Sequence, residues 1–367
     1  MTSLIAHRAE MGAPALSAAV AVDSKVVWRG AVGWADIKSK RAVDVETLFR
    51  IGSTSKAITA TALAQLVQDG ALNLDAPIGN YLQPMPNPQW HAITARQLAS
   101  HMAGIPNYGD NRDWLGLYQT IKLDKHYPDV RKALSLFDGS PLLHQPGSQF
   151  EYSSLGTVLL GAVMSAAAGK SYRQIISDRV LAPSEMTGTR VAPMYHEDGS
   201  NLARFYLNRN GRIREWRPVD LSHRLPGGGF VSTPTDLARM GARWLDDAYV
   251  SASTRAVFWK PQTLNDGSVN AQNYALGWRW REWTVDGVGL ARNANHGGVS
   301  RGAQCWLLVF PDFQLSIAFA INTRTDEFHQ FGALYEPLLR AFVDTYQQSS
   351  GASLDAPQGA TILSKQK

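Results

Sequence analysis

Apolar and polar positions alternate with a period near two at both ends of the chain and with a helical period between them. Residues 16–22 and 25–34 are β-rich runs separated by Asp23-Ser24, which predicts a hairpin. A short helix is expected before them at 3–11, stopped by Gly12 and Pro14. In the last third, residues 274–283, 303–310 and 314–321 read as strands, with Pro311-Asp312-Phe313 closing a hairpin between the last two. An amphipathic helix over 328–346 follows, and from Ser349 the chain is a polar tail expected to be disordered.

The middle reads differently. After Ser53, Leu63, Leu66 and Val67 fall on a 3.6-residue period in a run that ends at Gly70. Thr94 is placed to cap a short helix to His101, and Pro84 to Pro88 is a proline-rich loop. Weak helical stretches are expected at 114–123 and 130–137, then a deeply apolar helix at 156–168, another at 172–181 and one starting at Thr233. Residues 190–220 read as irregular or hairpin, and Pro226-Gly227-Gly228-Gly229-Phe230 as a tight backbone passage. The glycines of that passage lack the spacing and the preceding strand of a phosphate cradle. The expected fold class is α+β: an antiparallel sheet built from both ends of the chain (1–60 and 270–348), flanked by the terminal helices, with a mainly helical lobe from 61–269 and a tail at 349–367. A site is expected in the cleft between sheet and lobe.

Composition narrows the function classes. Hydrophobic residues at 44% and charged residues at 18% suit an ordinary globular protein. The net charge of +5 comes from scattered Lys and Arg with no basic run, so no nucleic-acid partner is expected. No apolar run reaches membrane-spanning length. One cysteine, Cys305, excludes an intramolecular disulfide, and its apolar neighbours predict a buried structural thiol. The compartment stays open: periplasmic or secreted if a leader has been removed, cytoplasmic otherwise. Oligomeric state stays open too. No cofactor and no metal are expected.

The candidate chemistry starts at Ser53-Thr54-Ser55-Lys56. If Ser53 begins the helix, Lys56 lies one turn along on the same face, its amine within reach of the hydroxyl. A serine hydroxyl needs a base to become a nucleophile, and a lysine serves when burial and nearby charge lower its pKa. The spacing alone does not discriminate: Ser364-Lys365-Gln366-Lys367 has it too, in the polar tail.

Two more clusters give the spacing meaning, Phe150-Glu151-Tyr152-Ser153-Ser154 and Asn295-His296-Gly297-Gly298-Val299-Ser300, the second read as a turn before a strand. With Ser53 to Lys56 they resemble the three site motifs of the serine β-lactamase and penicillin-binding-protein superfamily. Further segments carry the likeness: Gln97 to Pro106, Met186-Thr187-Gly188-Thr189, Gly228 to Thr233 and Tyr274-Ala275-Leu276-Gly277-Trp278. Pro146 to Ser153 and Ala203-Arg204-Phe205-Tyr206 are most similar to the branch of the mitochondrial serine β-lactamase-like protein and its bacterial relatives. The resemblance implies a serine hydrolase acting on a small-molecule or peptide substrate. Ser53 would be acylated, Lys56 would hold and accept its proton, and Tyr152 would shuttle protons to leaving group and water. The backbone N–H groups of Ser53 and Val299 would form the oxyanion hole, and Ser154, His296, Gly297 and Gly298 would contact substrate.

Two positions depart from the pattern. Ser154 stands where the family usually has Asn, and a hydroxyl offers fewer hydrogen-bond sites than an amide. His296 stands where many members have Lys, so a fixed positive charge is missing there. That shifts expectation from β-lactams towards esters or peptides, a carboxylesterase with little β-lactamase activity being the alternative. No Glu-x-x-Leu-Asn segment supplies a deacylating glutamate, so deacylation would fall to Tyr152 and water. Of the competing readings, Gly298-Val299-Ser300-Arg301-Gly302 matches a nucleophile elbow but is expected to lack the strand-to-helix turn, with His329 its one downstream histidine. A non-catalytic binding or assembly protein on the same fold is the other. His101 is expected to be structural.

Overall fold

Both ends of the chain meet in one antiparallel sheet. The computed structural model describes residues 1–113, 125–196, 199–209 and 211–350. Helix α1 (Thr2–Glu10) leads into β1 (Ala15–Val22), β2 (Lys25–Asp36) and the short β3 (Arg41–Ala42). Helix α2 (Ser55–Gln68), helix α3 (Ser154–Ala168) and helix α4 (Pro234–Arg243) lie in the middle of the chain. Then come β4 (Arg279–Val285), β5 (Gly289–Ser300), β6 (Ala303–Phe310) and β7 (Leu315–Ile321), followed by α5 (Phe328–Gly332) and α6 (Tyr335–Ser350). The strand order is β3-β2-β1-β7-β6-β5-β4. Sequence-distant β1 and β7 pair at the centre, Leu16 opposite Ile321 and Ala19 opposite Ala318.

Both faces of this sheet are covered, which is why β1, β6 and β7 are almost wholly apolar instead of alternating. One face, with Leu16, Val20, Leu308, Ile317 and Phe319, packs under the terminal helices through Leu4, Leu338, Leu339 and Val343. The other, with Ala19, Ala21, Leu307 and Ala318, packs against the helices of the middle of the chain. Helix α4, inside the segment expected to form the helical lobe, lies directly on β1 and β7.

Helix α2 is buried on every side from Ser55 to Leu66, so its polar side chains must find partners inside the protein. Its threonines are tolerated because Thr59 and Thr61 donate back to Ser55 O and Ala57 O. A small sheet of Phe49–Arg50, Phe230–Ser232 and Arg190–Val191 delivers the chain into the turn before α2 and sets the glycine passage beside it. The expected hairpin within 190–220 is Tyr206–Arg209 with Arg212–Glu215. Thr94 caps Ala95–Ala99 in a reciprocal capping box with Gln97.

Three expectations are corrected. Residues 274–278 are irregular, because Ala275, Leu276 and Gly277 give their N–H groups to Trp278, Phe258 and Ala99 outside any ladder. Residues 295–300 are not a turn but the end of β5, in register with β6 from His296–Leu307 to Ser300–Ala303. The helix expected over 328–346 is two, α5 and α6. A proline clashes with the carbonyl four residues back, and Pro337 would meet that of Ala333, where the helix breaks. The expected helix at 114–123 and the tail from 351 onward lie outside the described residues. Among the described residues no helix is long and apolar enough to cross a membrane.

Candidate active site

The turn Gly52–Thr54 presents Ser53 at the mouth of a cavity of about 460 Å³, half-buried and open to it. Two glycines make the setting. Gly52 has φ +51°, and a Cβ there would lie 2.6 Å from Val299 O. A Cβ on Gly298 would strike Ile51 O and lie 2.7 Å from Thr54 N. The end of β5 therefore closes onto the turn, with the main chain of Val299 beside it. Thr54 Oγ1 fastens the contact by donating to His296 O at 3.1 Å, with Cys305 O at 3.3 Å.

Lys56 is 2% exposed, and its Nζ has three acceptors for its three protons: Gly227 O at 2.8 Å, Ser154 Oγ at 3.1 Å and Ser53 Oγ at 3.3 Å. The glycine passage thus has a role the sequence reading missed, since Gly227 supplies the shortest of these bonds. Ser154, expected against substrate, is also a partner of Lys56. Its main-chain N–H, at the start of α3, goes to Asn107 Oδ1 at 3.2 Å.

Tyr152 enters from the stretch between the Pro146-Gly147 turn and α3, which Ser153 caps by accepting from Gly156 N. His101 holds it on both sides. Glu151 N–H donates to His101 O at 2.8 Å, Ser153 N–H donates to His101 Nδ1 at 3.3 Å, and the two rings lie 4.2 Å apart. The imidazole is therefore neutral with its proton on Nε2. Burial, with Lys56 and Arg279 nearby, keeps its pKa well below the ordinary 6.5. The Lys56 ammonium lies 4.9 Å from the centre of the Tyr152 ring and the Arg279 guanidinium 5.5 Å.

Burial pushes the Tyr152 phenol up, but Lys56, Arg279 and hydrogen bonding to Lys56 and Ser53 outweigh it, and its pKa falls below 10. Burial lowers Lys56, opposed by the negative charge that Tyr152 can carry. Each group's charge bears on the other's titration, so a titration here belongs to the pair. The arrangement suits a hydroxyl whose proton must leave and return.

His296 does not face the cleft, contrary to the expectation of substrate contact. Strand alternation turns it and Gly298 towards α2, while Asn295, Gly297 and Val299 face outward. It is fully buried, its Nδ1 donates to Gly297 O at 2.8 Å, and its Nε2 accepts from Tyr274 OH at 2.8 Å. Burial holds it neutral, well below the ordinary histidine range.

Cations reach the cleft from elsewhere. Arg279 and Arg281, which the sequence reading missed, line the cavity from β4, paired with Asn295 and Asn293 of β5. Among the described residues their hydrogen bonds go to Gln272 and to main-chain oxygens, not to carboxylates. The Arg-Trp-Arg alternation was the available signal, but only strand register tells which face it takes.

Ser300 ends β5 and a two-residue turn leads into β6, so the nucleophile-elbow match lacks its helix. Cys305 is buried, its thiol pushed up to about 12 by burial. Among the described residues no group of three or more His, Cys, Asp or Glu side chains converges to hold a metal.

Comparisons with known proteins bear on the family and the fold. The family profile described as Beta-lactamase matches residues 1–339. The serine beta-lactamase-like protein LACTB, mitochondrial, of Homo sapiens is 27% identical over 83% of this chain and 70% of its own length. The structure of a penicillin-binding protein from Bacillus halodurans superposes with a TM-score of 0.74 at 20% identity, covering 91% of this chain and 98% of that one. D-amino acid amidase from Ochrobactrum anthropi SV3 superposes with a TM-score of 0.74 at 23% identity, covering 96% and 98%. At such identities the two structures speak for the fold.

Proposed function

The chain belongs to the beta-lactamase family, and we propose that it is a serine hydrolase cleaving amide, peptide or ester bonds, with β-lactams as slower substrates, through an acyl-enzyme on Ser53. The observation that carries this is Lys56 Nζ at 3.3 Å from Ser53 Oγ, with every one of its protons directed at an acceptor and Tyr152 beside both.

Lys56 is the ammonium that stabilises a phenolate on Tyr152. As Ser53 Oγ attacks the substrate carbonyl, Tyr152 takes its proton. The carbonyl electron pair moves to oxygen, which the N–H groups of Ser53 and Val299 receive. One such donor is worth about 10²–10³ in rate. Tyr152 passes the proton to the departing nitrogen or oxygen as its bond to the carbonyl carbon breaks. Water then attacks the acyl-enzyme, giving its proton to Tyr152, which returns it to Ser53 Oγ. Arg279 and Arg281 favour a substrate with a carboxylate beyond the scissile bond, the place left without charge by His296.

The test is a side-by-side screen of nitrocefin, a short-chain ester, a D-Ala-D-Ala peptide and L-peptide amides on the native protein and on Ser53→Ala. Turnover of an ester or amide is expected, falling at least about a thousandfold in the variant. Equal rates in the two proteins overturn the reading. No turnover of any of them favours a binding protein on the same fold.

A further inference from the structure

One wall of the cavity is aromatic. Trp283 of β4, Trp306 of β6 and Phe328 of α5 line it together with Arg279 and Arg281. The wall exists because position 297 is glycine. A Cβ there would lie 2.5 Å from Phe328 Cζ, so the ring rests directly on the backbone of β5 where any other residue would push it away. Trp306 stands opposite Gly297 in the ladder and meets Phe328 edge-on at 5.1 Å, and Trp283 meets Trp306 at 5.9 Å. Trp306 Nε1 donates to Asn295 Oδ1 at 3.1 Å, which satisfies its polar tip and leaves its ring as apolar surface. Trp283 and Phe328 are only half-buried, and both line the cavity.

We propose that this wall is a subsite for an aromatic or branched apolar group of the substrate, set beside the carboxylate that Arg279 and Arg281 hold, with Phe328 as its specificity-determining residue. The assignment rests on the hydrolase reading of Ser53 and names the class of substrate for it: an amide or ester whose carboxylate neighbours an apolar group. The rings are fixed against one another and against β5, so the subsite is formed before the ligand arrives and little ordering opposes binding. Burying one phenyl ring against such a wall corresponds to about a ten- to hundredfold gain in affinity.

The experiment compares 3-phenylpropanoate with propanoate by calorimetric titration of the full chain carrying Ser53→Ala, which needs no turnover. It is repeated with Phe328→Ala or Phe328→Leu added. The expected result is at least tenfold tighter binding of 3-phenylpropanoate. The ratio falls to about threefold or less with Phe328→Ala and to an intermediate value with Phe328→Leu. Should Phe328→Ala fail to show a thermal unfolding transition, the fall with Phe328→Leu decides. Equal affinity for the two acids, or a ratio that neither substitution moves, overturns the proposal. A separate assay of S-ethyl thioacetate hydrolysis by the native protein reads the chemistry at Ser53 without an aromatic group, so failure of the hydrolase reading is told apart from failure of the subsite.

Discussion

Lys56 and Tyr152 lie close enough that each titrates in the field of the other and of Arg279, and that coupling is open to measurement. Arg279 favours the phenolate over the phenol and the neutral amine over the ammonium, so it lowers both groups. Removing it raises both, whichever of the two holds the proton. The rising limb of kcat/KM against pH for a short ester should therefore move to higher pH in Arg279→Gln. A limb that stays in place or moves to lower pH contradicts this electrostatic account. Ser53 and Lys56 were legible as a pair because one helical turn fixes their relation. His296 was misplaced because its direction depends on strand alternation, and the motif hid that alternation behind two glycines. A cation does reach the cavity from Arg279, opposite Asn295 in the ladder, a placement between neighbouring strands that no reading along the chain reveals.

At the scale of elements, the site is a contact between a turn and the end of a strand. Gly298 lies so close to Ile51 and Thr54 that one methyl group cannot be added without withdrawing β5 from the turn. Gly298→Ala should cost about 1–3 kcal/mol in unfolding free energy, in the range of overpacking. It should also lower kcat/KM more than a hundredfold, because the Val299 main chain recedes from Ser53. A denaturant titration beside ester kinetics checks both, and near-native activity in that variant would show that the close approach is not required. The same glycines suggested a turn before a strand. In a strand, however, a glycine also marks close approach of another backbone, and here that is its role. The proline-driven break between α5 and α6 was visible in Pro337, but the helical period on either side concealed it.

Across the whole molecule, the sheet closes only because β1 and β7, some three hundred residues apart, lie side by side. The hairpins at both ends of the chain were legible from local pattern and turn residues. That they share one sheet was legible from strands standing at both ends of the chain with helices between them, but not which strands pair or in what register. The position of α4 on the sheet depends on the tertiary packing of β1 and β7, which local periodicity does not encode. What this assembly does is bring Ser53 from the turn into α2, Tyr152 from the stretch held by His101 and Val299 from β5 to one cavity, with Lys56 buried beside Ser53 and bonded to it. The most direct test is to treat the native protein with a fluorophosphonate, digest it and locate the adduct by mass spectrometry. A single adduct on the peptide containing Ser53, absent from Ser53→Ala and reduced in Lys56→Ala, is predicted. An adduct on Ser300, or none on Ser53 in a protein that turns over esters, would contradict the account.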